Sequence, residues 1–198
     1  MNSGKRLLII FYRNPELGKV KSRLAVTIGE ERALALYLLM AAHARKISLS
    51  VPVDRVVYYS AFIDREDNWP NESFKKQLQR GEDLGEKMKQ AFEENINSGY
   101  ESICIIGTDC LELTEDILMK AFEALKYNDT VIGPAADGGY YLLGMKKSIP
   151  EVFSNKMWST SSVCQDTISD LKRLQCSYHV LPTLHDVDYE SDLPAQLR

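Results

Sequence analysis

The stretch Val131-Ile-Gly-Pro-Ala-Ala-Asp-Gly-Gly-Tyr-Tyr-Leu-Leu-Gly144 predicts two strands joined by a short acidic turn. Apolar residues of the β type fill both ends, and Gly133-Pro134 and Gly138-Gly139 interrupt them. Asp137 lies between the two strands and has two interpretations. It either bonds the backbone two residues further on, as in an Asx turn, or faces a ligand at close range, which the glycines behind it allow. A second acidic turn after a strand, Ile105-Ile-Gly-Thr-Asp-Cys110, favours the ligand.

Along the rest of the chain, continuous apolar runs alternate with helical patterns, which is typical of a mostly parallel sheet with helices on both faces. The predicted strands span residues 7–12, 55–59, 102–106, 130–132, 140–145 and 177–181. The predicted helices span residues 30–47, 84–95, a segment from its Thr114 cap to 125, a segment from a Ser159 or Thr160 cap to 174, and a short closing helix in 189–197. Neither a repeat nor a flexible linker divides the chain. We therefore predict a single Rossmann-like α/β domain over residues 1–198.

Composition narrows the class of partner. The net charge of −4 gives no reason to expect nucleic acid, so any phosphate binding must come from a local basic cluster. No apolar run approaches the roughly 20 residues of a membrane span, and the run at Leu7–Phe11 is too short for a secretion signal. The four cysteines lack zinc-site spacing and suit a reducing compartment, so a cytoplasmic location is expected. The oligomeric state is left open.

A basic segment follows the first strand. Lys19, Lys21 and Arg23 alternate, so an extended loop presents all three on one side, and a helix still makes Lys19 and Arg23 neighbours. Lysine supplies a point charge and arginine a bidentate fork, a combination suited to a diphosphate. The alternative is a solvated run of charges. Because ligands of open α/β sheets bind outside the carboxyl ends of the strands, this segment and the acidic turns are expected at one edge.

Two acidic segments are candidates for a metal site. Asp109, in Gly107-Thr108-Asp109, lies five residues before Thr114 and is too early to cap the helix that begins there. Mg²⁺ takes only one or two carboxylates together with substrate phosphates and water, so Asp109 is a sufficient first ligand. Asp186 or Asp188 completes the site, whereas Glu190 and Asp192 stabilise the start of the last helix.

Trp158 precedes two hydroxyl residues, Ser159 and Thr160. An exposed indole at this position would stack on a flat ring of a ligand. Hydrophobic packing of the indole, with a helix cap from the hydroxyls, explains the same residues equally well.

Several of these motifs, taken in order, resemble one family. They are Pro15–Leu24, Asp83–Met88, Ile106–Cys110, Gly133–Gly144, Trp158–Thr160 and Asp186–Asp188. The chain resembles the small bacterial GT-A-type transferases of the uncharacterised family DUF2064, relatives of phospholactate guanylyltransferase and the molybdenum-cofactor nucleotidyltransferases. It departs from the family pattern at Ser22, usually Thr, and at Leu111, usually Pro.

The resemblance implies a nucleotide-diphospho-sugar transferase fold that binds a nucleotide or nucleotide-sugar donor and a small-molecule acceptor. By motif, Asp109 and Asp188 fall where relatives hold Mg²⁺ or Mn²⁺, and Asp137 falls in the acceptor-side motif. Asp109 and Asp137 are thus the expected catalytic residues. The expected substrate-binding residues are Lys19, Lys21, Arg23, Thr108, Gly138, Gly139, Tyr140 and Trp158.

Three functions fit these residues. The favoured one is glycosyl transfer from an NDP-sugar with a divalent metal ion. The second is nucleotidyl transfer from an NTP with release of pyrophosphate, and a third is a nucleotide-binding module without turnover. A purely structural or partner-binding domain would instead show a large exposed apolar patch.

Overall fold

The computed structural model describes residues 4–197, in which seven strands form one sheet. The strands are β1 (Arg6–Tyr12), β2 (Asp54–Tyr59), β3 (Lys75–Leu78), β4 (Ser102–Ile106), β5 (Thr130–Pro134), β6 (Tyr140–Met145) and β7 (Tyr178–Val180). The helices are α1 (Ser22–Ile28), α2 (Glu30–Ser50), α3 (Leu84–Asn97), α4 (Glu115–Tyr127) and α5 (Val163–Arg173). Three short 3₁₀ turns span Pro150–Phe153, Glu190–Asp192 and Ala195–Leu197.

The sheet is mostly parallel, as predicted. Its strand order is β3-β2-β1-β4-β6-β5-β7, and β6 alone among these strands runs against its neighbours β4 and β5. The quoted acidic stretch forms the β5–β6 hairpin. Since β5 and β4 are both antiparallel to β6, β5 ends at the same edge as β1 and β4. The basic segment after β1 and the acidic segments after β4 and β5 therefore leave the sheet at one edge, as does the acidic segment after β7, which is parallel to β5.

Helices cover both faces of the sheet. Alternate residues of β1 point to opposite sides: Leu8 packs in a core with α2 and α4, and Ile9 packs in a second core with α3 and α5. Both side chains are fully buried. Apolar side chains on the two faces explain why the central strands appear in the sequence as continuous rather than alternating apolar runs.

Two elements escaped the sequence prediction. The edge strand β3 is polar and mostly exposed, so it lacks an apolar pattern, and it forms by parallel pairing with β2. The short helix α1 begins after Lys21, which has a left-handed backbone and gives the helix no side-chain cap. No ordinary start signal marks that helix.

The predicted start of one helix and the predicted helix in the tail were also wrong. α5 begins at Val163 and not after a Ser159 or Thr160 cap, because Ser159 has a positive φ of 63° and the Thr160 hydroxyl donates to the Met157 carbonyl. The tail forms two 3₁₀ turns in place of a closing helix. In contrast, Thr114 caps α4, since its hydroxyl accepts the Ile117 amide hydrogen. No helix within residues 4–197 is long and apolar enough to cross a membrane.

Candidate functional site

A cavity of about 440 Å³ opens at the carboxyl edge of the sheet. Its size is in the range of small-molecule sites. The structure brings nine of the predicted site residues into its lining: Lys21, Arg23, Thr108, Asp109, Asp137, Gly139, Tyr140, Trp158 and Asp188. Segments that follow β1, β4, β5 and β7 supply most of these side chains. The convergence predicted from strand ends is thus present in the structure.

An ion-pair network lies at the centre of the lining. The Lys21 ammonium is 2.9 Å from Asp109 Oδ2 and 3.0 Å from Asp188 Oδ1, and Arg23 Nη1 is 3.0 Å from Asp188 Oδ2. Burial alone would lower the pKa of Lys21, but the two carboxylates outweigh it and raise that pKa. The Lys21 side chain is only 8% exposed and stays charged. One cation therefore already contacts both of the predicted metal-binding carboxylates.

The backbone directs Lys21 and Lys19 to different places. A turn closed by the Lys19 amide on the Glu16 carbonyl, with Gly18 at a φ of 72°, precedes Lys21 at a φ of 48° and a ψ of 46°. The extended loop with three cations on one side, one of the two conformations considered for this segment, is therefore not the one observed. Lys19 is outside the cavity lining, is 70% exposed and pairs with Glu16 at 2.7 Å. A left-handed non-glycine residue costs roughly 1–2 kcal/mol, and Lys21 holds that conformation at the cavity.

Asp186 is the acidic residue that the sequence could not separate from Asp188. Asp188 makes the ion pairs, whereas Asp186 is more deeply placed and its Oδ1 is buried without a hydrogen-bond partner. Burial first, and then the charges of Asp109 and Asp137, raise the pKa of Asp186 to about 7, against a partial opposing effect of Lys21. The site thus contains a carboxyl group that changes charge near neutral pH.

The raised pKa of Asp186 gives a stability prediction. Its ordinary value is 3.8 and its folded value is about 7, so the folded state binds the proton more tightly. The contribution of Asp186 to the free energy of unfolding should therefore fall as pH rises from about 4 to about 7 and stay level above that. Asp186→Asn removes this loss, and we expect it to stabilise metal-free protein at pH 8 by on the order of 2 kcal/mol more than at pH 5. Urea unfolding at both pH values measures the difference, and an equal effect of the variant at both would contradict the assignment.

Asp137 forms the predicted Asx turn and also lines the cavity. Its Oδ1 accepts the Gly139 amide hydrogen at 2.8 Å, which is the Asx turn, and the same residue lines the cavity. Gly138, predicted to bind substrate, lies outside the lining. It has a φ of 92°, and a Cβ there would lie 2.0 Å from the Ser161 carbonyl oxygen. Gly138 is therefore needed for close backbone packing that holds the acidic turn in place.

Trp158 is half-buried and belongs to the apolar part of the lining. A Cβ on Gly85 would lie 2.3 Å from its ring, so the indole packs directly on the start of α3. Tyr140 and Leu84 line the same cavity. The predicted packing of the indole is confirmed, whereas the helix cap predicted from Ser159 or Thr160 is absent. Trp158 also lines the cavity. Sequence reasoning missed Tyr37, whose hydroxyl bonds both backbone polar groups of Arg13; its helical spacing indicated only a core position.

The carboxylates are suited to a hard divalent cation. Within residues 4–197, no three His, Cys, Asp or Glu side chains are grouped as a complete metal site. Asp109 and Asp188 nevertheless both contact the Lys21 ammonium. Asp186, two residues before Asp188, has a buried oxygen without a hydrogen-bond partner. Oxygen ligands of this number fit Mg²⁺ or Mn²⁺ completed by substrate phosphates and water.

Two of the solved structures that match this chain have transferase names. The chain is 30% identical to a provisionally named nucleotide-diphospho-sugar transferase from Desulfovibrio desulfuricans G20, with a TM-score of 0.87 over 94% of this chain and 84% of that one. It also matches the inositol-1-phosphate CTP transferase of T. maritima, at 10% identity and a TM-score of 0.63 over 100% and 95% of the two chains. The latter likeness shows the fold alone.

A third structural match was solved with a metal ion. It is glucosyl-3-phosphoglycerate synthase from Mycobacterium tuberculosis in complex with Mn²⁺, UDP and glucosyl-3-phosphoglycerate, at 10% identity and a TM-score of 0.56 over 92% of this chain and 71% of that one. No curated protein matches the sequence. The family model described as an uncharacterised protein conserved in bacteria, DUF2064, matches residues 43–160, more than half of the chain. The chain therefore belongs to the DUF2064 family and has the fold of nucleotide-diphospho-sugar transferases.

Proposed function

We propose that the protein is a divalent-metal-dependent transferase that uses a nucleotide-activated donor, with a sugar as the transferred group. The observation that carries this proposal is the network of Lys21, Arg23, Asp109 and Asp188 in the lining of one cavity. Two cations and two carboxylates, distant in sequence, meet where this fold exposes its strand ends. Such a network suits a diphosphate better than a neutral ligand, because the cations bind its oxygens and the carboxylates hold its counter-ion.

Lys21 and Arg23 are the proposed phosphate ligands. Both are now paired with carboxylates, so they are held near the place where the diphosphate binds and can exchange those partners for phosphate oxygens. Asp109 and Asp188 would hold the divalent cation, which when bound neutralises charge on the diphosphate. Donors fixed before the reaction stabilise the charge that develops on a departing nucleotide.

Asp137 and Trp158 are proposed to act on the other parts of the substrates. In glycosyl transfer, the acceptor oxygen forms a bond to the sugar C1 while the bond from C1 to the phosphate oxygen breaks, and the nucleoside diphosphate leaves. The acceptor proton goes to Asp137, an exposed carboxylate fixed by its Asx turn. Trp158 supplies an aromatic surface in the same cavity for a flat or apolar part of the donor.

Nucleotidyl transfer is the second candidate, because its proton acceptor and phosphate ligands would be the same residues. There the acceptor oxygen attacks the α-phosphorus of an NTP, and pyrophosphate leaves. The structural match to a CTP transferase shows that this fold also carries such an activity in another protein.

The identity of the released product separates these chemistries. The protein is incubated with Mg²⁺, with NDP-sugars or NTPs, and with sugars, polyols and amines as acceptors. The products are followed by ³¹P NMR, for which diamagnetic Mg²⁺ leaves the phosphate signals sharp. We expect nucleoside diphosphate from an NDP-sugar in wild type and none above background in Asp137→Asn. Pyrophosphate from an NTP would establish nucleotidyl transfer in its place. Metal-dependent nucleotide binding without any product would contradict both and indicate a binding module.

A further inference from the structure

A second cavity of about 350 Å³ adjoins the first. Six residues line both cavities: Arg23, Asp137, Ser159, Thr160, Asp186 and Asp188. Because the cavities share these side chains, ligands in the two spaces would meet at them. We propose that the second cavity is the acceptor pocket and that it takes a neutral polyhydroxyl compound, a sugar or a polyol. This inference rests on the proposed transferase function and names its acceptor class.

The position of Asp137 supports an acceptor pocket. Transfer between two substrates requires that the attacking group and the donor be held in contact, with the proton-accepting group within reach of both. Asp137 lines both cavities, and its Oδ1 is fixed by the Gly139 amide. A donor in the first cavity and an acceptor in the second would therefore meet beside one oriented carboxylate.

The charges of the second cavity disfavour an anionic acceptor. Four aspartates line it: Asp137, Asp186, Asp188 and Asp192. Arg23, which could attract an anion, pairs with Asp188 at 3.0 Å in the free protein and is proposed to bind the donor diphosphate in the complex. An anionic group would have to approach these carboxylates, and like charges in contact are a strong means of excluding a ligand.

The same carboxylates do not require a cationic acceptor. Asp188 is balanced by Lys21 and Arg23 in the free protein, and the proposed divalent cation would balance it in the donor complex. Asp192 Oδ2 accepts the amide hydrogens of Asp188 at 3.1 Å and Tyr189 at 2.8 Å. Two of the four carboxylates are thus already compensated within the protein. Their remaining acceptor capacity suits the hydroxyl hydrogens of a neutral ligand.

Hydroxyl groups and an aromatic ring complete a surface suited to a sugar. Ser159 and Ser161 line the cavity with hydroxyls that can both donate and accept hydrogen bonds, and the Thr160 hydroxyl, which donates to the Met157 carbonyl, can still accept one. Tyr189 is 53% exposed beside them, and the Arg23 guanidinium lies 6.0 Å from its ring centroid. A sugar presents C–H groups to a ring and hydroxyls to polar atoms, and this lining offers both kinds of contact.

Saturation-transfer-difference NMR tests the acceptor class. The probes are D-glucose, myo-inositol and glycerol as neutral compounds, D-glycerate as the anion and ethanolamine as the cation. Each is added with Mg²⁺, which is diamagnetic and leaves the ligand signals sharp, and with whichever of UDP, GDP, CDP or ADP binds best. We expect wild-type signals from at least one neutral probe and none from the charged ones. Signals from glycerate or ethanolamine alone, or from no probe, would overturn the inference.

The variant Tyr189→Ala tests whether the neutral probes bind in this second cavity. We expect it to reduce the neutral-probe signal about fivefold or more, while Tyr189→Phe retains it because the ring remains. Tyr127→Ala, which removes a 78% exposed tyrosine outside both cavities, should change nothing. Melting temperatures confirm that each variant is folded. A neutral-probe signal that Tyr189→Ala leaves intact would overturn the pocket assignment.

The two proposals fail in different ways. The nucleotide affinity of each variant is measured by calorimetry in the same samples. If no nucleoside diphosphate binds wild type with Mg²⁺ or Mn²⁺, the transferase proposal fails, whatever the sugars do. If nucleotide binds and the neutral probes do not, the transferase proposal stands and the acceptor inference fails.

Discussion

Asp109→Asn is expected to lower the Mn²⁺-dependent affinity for nucleoside diphosphates by about 100-fold or more. Loss of a partner that only supports a metal ligand typically costs 10- to 100-fold, and Asp109 is proposed as a ligand itself. The substitution keeps the shape of the side chain but removes the charge that now contacts Lys21 at 2.9 Å. Because the side chain is 38% exposed, the fold should survive. Isothermal titration calorimetry of UDP, GDP, CDP and ADP, with and without Mn²⁺, measures the effect.

Asp116→Asn is the matched control for that variant. It removes one carboxylate of the same type from the first turn of α4, where the side chain is 87% exposed. Its nucleotide affinity should equal that of wild type. If Asp109→Asn retained full Mn²⁺-dependent affinity, Asp109 would not hold the metal ion.

Lys21→Met is expected to have opposite effects on two ligands. Affinity for nucleoside diphosphates should fall about 10- to 100-fold, because a hydrogen bond to a charged group contributes roughly 1.5–3 kcal/mol. Affinity for Mn²⁺ alone should rise, because the ammonium no longer competes for Asp109 and Asp188. Calorimetry with Mn²⁺ alone, and then with nucleotide added, measures both effects on one sample.

Lys19→Met provides the control within the same segment. Lys19 carries the same charge two residues away, but its ammonium pairs with Glu16 and its side chain is 70% exposed. Exposed pairs of this kind contribute little, so both affinities should stay within about twofold of wild type. Equal losses of nucleotide affinity in the two variants would show that general basic charge, and not the position of Lys21, determines binding.

The sequence predicted the sheet well because burial leaves a pattern. β4 and β6 were placed at their observed bounds, since apolar residues fill strands that are covered on both faces. β3 left no such pattern, because its residues are polar and its stability comes from pairing with β2. α1 was undetectable for a related reason, since Lys21 precedes it without a capping side chain.

The sequence predicted which residues meet at the candidate site better than it predicted the directions of their side chains. The topology of parallel strands was enough to bring Asp109, Asp137 and Asp188 to one edge. The separation of Lys19 from Lys21 depends on two left-handed residues, Gly18 and Lys21, whose conformations no spacing rule reveals. Likewise, the alternating sequence predicts that Asp186 and Asp188 point to the opposite side from Val187. Only the packing of the folded chain decides which of the two carboxylates makes the ion pairs.

A crystal structure of the protein with Mn²⁺ and the nucleoside diphosphate that binds best tests most directly whether the carboxylates hold the metal ion and Lys21 binds the diphosphate. We expect Mn²⁺ in contact with Asp109 and Asp188 and with diphosphate oxygens. We also expect the Lys21 ammonium on those phosphates in place of its present carboxylate partners. A diphosphate bound away from Lys21, or a metal ion without a contact to Asp109, would contradict the proposal.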